Sequence, residues 1–130
     1  MHVFRFKVGP KKVGIGGKQL KYVARPCYAP KLSKDDIVEQ IAENNRGVSK
    51  GMIYGVLEAI NQEFRHFLFN GHPVNLAGLG TFRVSFDSES KDGPAGFTDA
   101  DIKNPRIIFT PDMALRRDML KELKFEEYTS

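Results

Sequence analysis

The sequence predicts an α+β chain: a basic β extension, then two helices, three short strands and a last helix. Three observations carry this. Apolar residues recur every three or four positions between Ile37 and Leu68. From Pro73 to Phe109 the period falls to two, with turn residues between the runs. The front of the chain, up to Lys34, holds nine Lys or Arg and no Asp or Glu.

The elements follow in order. Val3 to Val8 alternates apolar and basic residues as a half-buried strand does, and Gly9-Pro10 is expected to end it. Lys11 to Lys18, with Gly14, Gly16 and Gly17, reads as a flexible loop. Leu20 to Ala24 returns as a second strand, with Tyr22 and Ala24 on one side and Lys21, Val23 and Arg25 on the other. Pro26 and Pro30 bracket a linker. Ser33 is the expected N-cap of the first helix, with Asp36 three positions later and two acids near the positive end of the helix dipole. Ile37, Val38, Ile41 and Ala42 form its apolar side, and Asn45-Arg46-Gly47 closes it. Ser49 caps a longer helix carrying Ile53, Val56, Leu57, Ile60, Phe64, Phe67 and Leu68, which ends at Gly71. Two helices joined by a short turn make a helical hairpin.

The strands come next. Pro73 to Leu76 is short, and Ala77 to Gly80 is a tight turn whose glycines permit positive φ and close backbone approach. Thr81 to Phe86 is a strand with Phe82, Val84 and Phe86 on one face, Phe82 being the core anchor. Asp87 to Gly96, rich in Ser, Asp, Gly and Pro, is expected to be a mobile loop or arm tip. Arg106 to Phe109 is the third strand. Thr110-Pro111 is the expected start of the last helix, a capping hydroxyl followed by a first-turn proline, and Ala114, Leu115, Met119 and Leu123 form its apolar side.

The formal charge is +4, but it is divided unevenly. From Asp35 onward, eleven positives face all sixteen acids, a net of −5. A basic block on an acidic body suggests that a polyanion meets the block first; a solvated tail kept for solubility is the alternative. Cys27 is the one cysteine, so no internal disulfide forms. No segment approaches the roughly 20 apolar residues of a membrane span, and the front lacks the apolar stretch of a signal peptide. A soluble, non-exported chain is expected. The Gly14–Lys18 run is not a phosphate loop, because Lys12 stands where that motif needs glycine and Gln19 where it needs Ser or Thr. His66 and His72 have no cysteine near, so no zinc site is expected. Asp35-Asp36 is helix-terminal charge rather than an acid/base pair. With no Trp, and with Tyr22, Tyr28, Tyr54 and Tyr128 scattered, there is no stacking platform for single strands. No enzyme, metal or cofactor is expected.

The order of elements and several motifs resemble the HU/IHF family of bacterial histone-like proteins. The likeness runs from about Leu32 to Leu123. Its centre is the Gly71–Phe82 stretch, in which Gly78-Leu79-Gly80-Thr81-Phe82 matches a Gly-x-Gly-Thr-Phe turn. Phe109-Thr110-Pro111-Asp112 resembles the Phe-x-Pro-Gly that opens the family's last helix, and Val48-Ser49-Lys50 resembles the start of its second. The extended front suggests the longer HU-related branch. The resemblance implies an α+β, HU/IHF-like fold: a helical hairpin, a three-stranded antiparallel sheet with a β-arm, and a C-terminal helix. It also implies an intertwined homodimer that clasps double-stranded DNA in the minor groove, with an apolar wedge at each arm tip. The domains would be a basic β extension over 1–31 and an HU-like domain over 32–130.

By that resemblance the arm runs from Val84 to Arg106, and Pro94 is its candidate wedge. The charge of this arm departs from the family. Between Ser85 and Asn104, five acids outnumber Lys91 and Lys103, and Ser85 and Asp87 stand where the family has arginines. Phosphates repel such an arm. Asp112 and Met113 replace the family's glycine and lysine, whereas Arg116 matches a basic position and Arg117 adds another. The expected phosphate contacts therefore shift to Arg5, Lys7, Lys11, Lys12, Lys18 and Lys21, with Arg83, Pro94, Arg106, Arg116 and Arg117 completing the surface. Binding would be largely sequence-independent, in the nucleoid of the cytoplasm, with no membrane and no small-molecule substrate. Two alternatives stay open: an HU-fold interaction module whose acidic arms meet a basic protein, and an extension that packs on the arms of its own dimer.

Overall fold

The computed structural model describes residues 2–129. The chain forms two compact units. One runs up to Ile37 and resumes at Arg117; the other is Val38–Arg116. The fold is α+β.

In the first unit β1 (His2–Val13) and β2 (Gln19–Cys27) form an antiparallel hairpin, and β6 (Leu123–Glu127) pairs parallel to the start of β1. The strand order is β2-β1-β6. Both strands of the hairpin outrun the expected bounds. Gly9 and Pro10 do not end β1, and Lys11, Lys12 and Val13 are strand rather than loop. Pro26 belongs to β2 rather than to a linker. The reason is positional. β6 reaches only as far as Phe6, so at Pro10 one side of β1 is open, and Pro26 lies on an edge strand. Proline costs no ladder bond at an open edge. β6 was not expected at all, and Leu123 begins it instead of extending the last helix. The segment Leu123-Lys124-Phe125-Glu126 alternates, and Phe125 sits beside Phe4 with ring centroids 6.3 Å apart. A partner strand with its own aromatic residue outweighs a helical period of one residue.

Helix α1 spans Lys34–Asn44 and α2 Lys50–Phe69. Ser33 and Asp36 form a reciprocal cap: the Asp36 N–H donates to the Ser33 hydroxyl at 3.2 Å, and the Ser33 N–H donates to the Asp36 carboxylate at 2.8 Å. The Ser33 N–H, and the Ser33 hydroxyl donating to the same carboxylate at 2.9 Å, hold the Asp36 carboxyl below its ordinary pKa. Ser49 accepts from the Met52 N–H at 3.2 Å. Beyond α2, Asn70 and then Gly71, at φ 88°, stop the helix, as the glycine predicts.

In the second unit β3 (Val74–Leu76), β4 (Gly80–Ser88) and β5 (Ile102–Pro111) form an antiparallel sheet in that order. Phe82 lies against Phe109 at 4.8 Å and against Phe64 of α2 at 6.0 Å. Val38, Ile53 and Leu68 are the buried core among the described residues. Helix α3 is Met113–Glu122. It starts two residues later than expected, because Thr110 and Pro111 are held in β5 opposite Thr81 and Gly80. Asp112 takes over that junction. Its carboxylate accepts from the Gly78 N–H at 3.1 Å and from the Asn75 amide at 3.3 Å, and its carbonyl accepts from the Arg116 N–H at 3.0 Å. An acid that departs from the family pattern thus fastens the β3–β4 turn to the start of α3.

Candidate nucleic-acid interface

Alternation along β1 and the register of the hairpin sort the basic residues by face. Directly opposed residues share a face of a sheet. Lys7 faces Arg25, and Lys11 faces Lys21. Arg5, Lys7, Lys11, Lys21 and Arg25 therefore lie on one side, with successive positions of one parity about 7 Å apart along a strand. All five are exposed. Lys124 of β6, opposite Val3, joins them, and Glu126, opposite Arg5, is the acid on that side. The other face carries Phe4, Phe6, Val8, Pro10, Leu20, Tyr22 and Phe125.

None of Arg5, Lys7, Lys11, Lys21 or Arg25 has a carboxylate within ion-pair distance among the described residues. Tyr128 instead lies beneath two of them, its ring centroid 5.8 Å from the Arg5 guanidinium and 5.1 Å from the Lys7 ammonium. Arg25 donates to the Pro10 carbonyl at 3.2 Å and lies across Gly9, where a Cβ would stand 3.0 Å from its guanidinium. Lys12 falls on the opposite face, opposed to Leu20, and Lys18 closes the turn between the strands. The six expected front residues thus divide: four share one face, and two flank the tip.

The remaining expected residues belong to other elements. Arg83 and Arg106 share the second face of the other sheet, opposite Ile108 and Ser85. Arg106 donates to the Asp87 carboxylate at 3.0 Å, and Asn104 donates to the same carboxylate at 3.3 Å. These two donors, Asn104 first, hold the Asp87 carboxyl below its ordinary pKa. Arg117 pairs with Asp118 at 3.5 Å. Arg116 lies in α3 and Pro94 is exposed in the β4–β5 connection. That connection starts and ends later than the expected Asp87–Gly96 loop, since Asp87 and Ser88 belong to β4 and β5 begins at Ile102. It is braced from within: Lys91 pairs with Asp101 at 3.1 Å and donates to the Gly96 carbonyl at 2.7 Å, and Lys103 pairs with Glu89.

The family model described as an HU domain fused to wHTH, Ig, or glycine-rich motif (HU-HIG) matches residues 3–127. The chain belongs to the HU-HIG family. No curated protein matches it. Among solved structures, this HU-HIG chain is similar to a candidate bacterial DNA-binding protein from Bacteroides vulgatus, with a TM-score of 0.72 at 16% identity. The match covers 98% of this chain and 49% of that one, so the chain spans about half the length of that protein. At that identity the likeness shows the fold.

Reasoning from sequence passed over Arg25, Lys124 and Tyr128 as members of this face. Arg25 was already placed beside Lys21 by alternation but was not named as a contact, and its pairing with Lys7 adds it. Lys124 and Tyr128 had no signal without β6. Among the described residues no group of three or more His, Cys, Asp or Glu is arranged to hold a metal ion, and no helix is long and apolar enough to cross a membrane.

Proposed function

We propose that this HU-HIG chain binds double-stranded DNA as an architectural protein, without reading sequence, through the cationic face of the β1–β2 hairpin. One observation carries the reading. Lys7 opposes Arg25 and Lys11 opposes Lys21 with no carboxylate between them. Like charges directly across a sheet destabilise it. A row of phosphates relieves that repulsion and releases its own counterions on binding. Membership in an HU-domain family supports the same reading, as does the fold shared with a candidate DNA-binding protein. In this reading Arg5, Lys7, Lys11 and Lys21 contact phosphates along the ribbon, and Lys12 and Lys18 do so at its tip. The acidic β4–β5 connection is not the clasp. Three of the five acids between Ser85 and Asn104, namely Asp87, Glu89 and Asp101, are paired with Arg106, Lys103 and Lys91, which leaves fewer of them for a basic protein partner.

The binding form is a homodimer in this proposal. Helix α2 exposes Met52, Val56, Ile60 and Phe67, which share one side, at 36% to 61% of their surface. A twenty-residue amphipathic helix with this apolar side in water lacks the covering that makes such helices stable. A second copy supplies it.

The test is the salt dependence of affinity for random duplex DNA. Replacing Lys7, Lys11 and Lys21 together by Ala removes three phosphate contacts. The slope of log affinity against log salt should flatten by about 2.7. An unchanged slope rejects the face.

A further inference from the structure

We infer that Ile15, at the tip of the β1–β2 hairpin, is a wedge that enters between base pairs and kinks the duplex the hairpin holds. The inference rests on the DNA-binding reading above and adds what the tip does. Ile15 is 92% exposed, more than any other large apolar residue described. It sits in the 3-10 turn Ile15–Gly17, between Gly14 at φ 87° and Gly16 and Gly17 at φ 70° and 67°. The three glycines supply the positive φ values of the turn, and the exposed Ile15 side chain is left almost unpacked. A turn shaped by conformation alone takes polar residues there. Because its neighbours carry no side chains, the tip narrows to one branched apolar group.

The ribbon behind it has the reach and the charge to deliver that group. β6 ends opposite Phe6, so from Lys7 to Val13 the hairpin is two strands wide, a ribbon of about 24 Å. Within the last three rungs stand Lys11, Lys12 and Lys21, with Lys18 at the turn. Lysines on both sides of the tip neutralise the phosphates that flank an opened step. Apolar side chains that unstack one step bend the duplex, and isoleucine is among those used. The alternative, a hairpin tip dipping into an anionic lipid surface, uses the same two features, so the experiment separates them.

The experiment places a dye at each end of a short duplex and reads energy transfer as the full chain binds. The native chain should bring the ends together. Ile15→Ala should bind the intact duplex with most of the native affinity but lose the bend, and Ile15→Leu should restore it. A duplex nicked at its centre, where stacking is already weakened, should bend with either variant. A bend unchanged in Ile15→Ala, or native binding without a bend, overturns the wedge and leaves the DNA reading intact. Failure of the native chain to bind duplex at low salt overturns both. Native sedimentation with phosphatidylserine vesicles that Ile15→Ala abolishes, with no bend in DNA, overturns the wedge in favour of a lipid surface.

Discussion

Gly80 opposes Pro111, and a Cβ there would stand 2.3 Å from the Thr110 carbonyl and 2.8 Å from the Phe109 ring. The backbone oxygen cannot move aside without parting β4 from β5. Gly80→Ala should therefore lower stability by about 1–3 kcal/mol in urea unfolding, and an unchanged midpoint would show that the strands are less closely apposed. Gly78 does the other half of the work, with φ 87°. At the helix ends the side chains decide. Ser49→Ala removes the acceptor for the Met52 N–H and should cost about 1 kcal/mol by the same measurement. Asp36 and Asp87 both have lowered pKa values, Asp36 through its bonds from Ser33 and Asp87 through Asn104 and Arg106. A lowered carboxyl contributes stability that is present above the ordinary value of 3.8 and lost as pH falls through the lowered one. Acid titration followed by circular dichroism should show a loss confined to that range, and Asp36→Asn should reduce it. A native-like profile in that variant would show that the cap bonds contribute nothing.

At the level of elements, the hairpin and β6 depend on each other unequally. β1 is held by β2 through nine opposed residues and by β6 through five. Ending the chain after Glu122 should expose amides in Val3–Phe6 to hydrogen exchange while the β3–β4–β5 ladder keeps its protection. Equal protection in both forms would show that β6 does not stabilise β1. The hairpin was half legible. Its strands, its glycines and the facing of Tyr22 against Lys21 follow from alternation. Its length does not, because Gly9-Pro10 and Pro26 are strand breakers in isolation and are harmless only beside an open edge. The two capped helices were fully legible, since Ser33, Ser49 and Gly71 act on backbone groups within a few residues of themselves. The start of α3 was misplaced because the claim of β5 on Thr110 and Pro111 comes from its pairing with β4, far back in the chain, at Thr81 and Gly80.

For the molecule as a whole, the expectation is a pair of chains with two cationic ribbons. Sedimentation equilibrium should give twice the mass of the chain, and Val56→Glu, which places a charge on the exposed apolar side of α2, should shift it toward one. A native chain that sediments as a single copy would sink the dimer and leave the apolar side of α2 without a role. Retention on heparin should fall when Lys7, Lys11 and Lys21 are replaced together.

Composition and local spacing determined the class of fold, the capped helices, the Gly78–Gly80 turn and the uneven division of charge. Each of these is written within a few neighbouring residues or in a simple count. The tertiary structure decided which lysines share a face, that a strand from the far end of the chain joins the front sheet, and that Ile15 stands at a bare tip. Those are pairings between residues far apart in the chain, and the free energy that selects a register belongs to both partners at once.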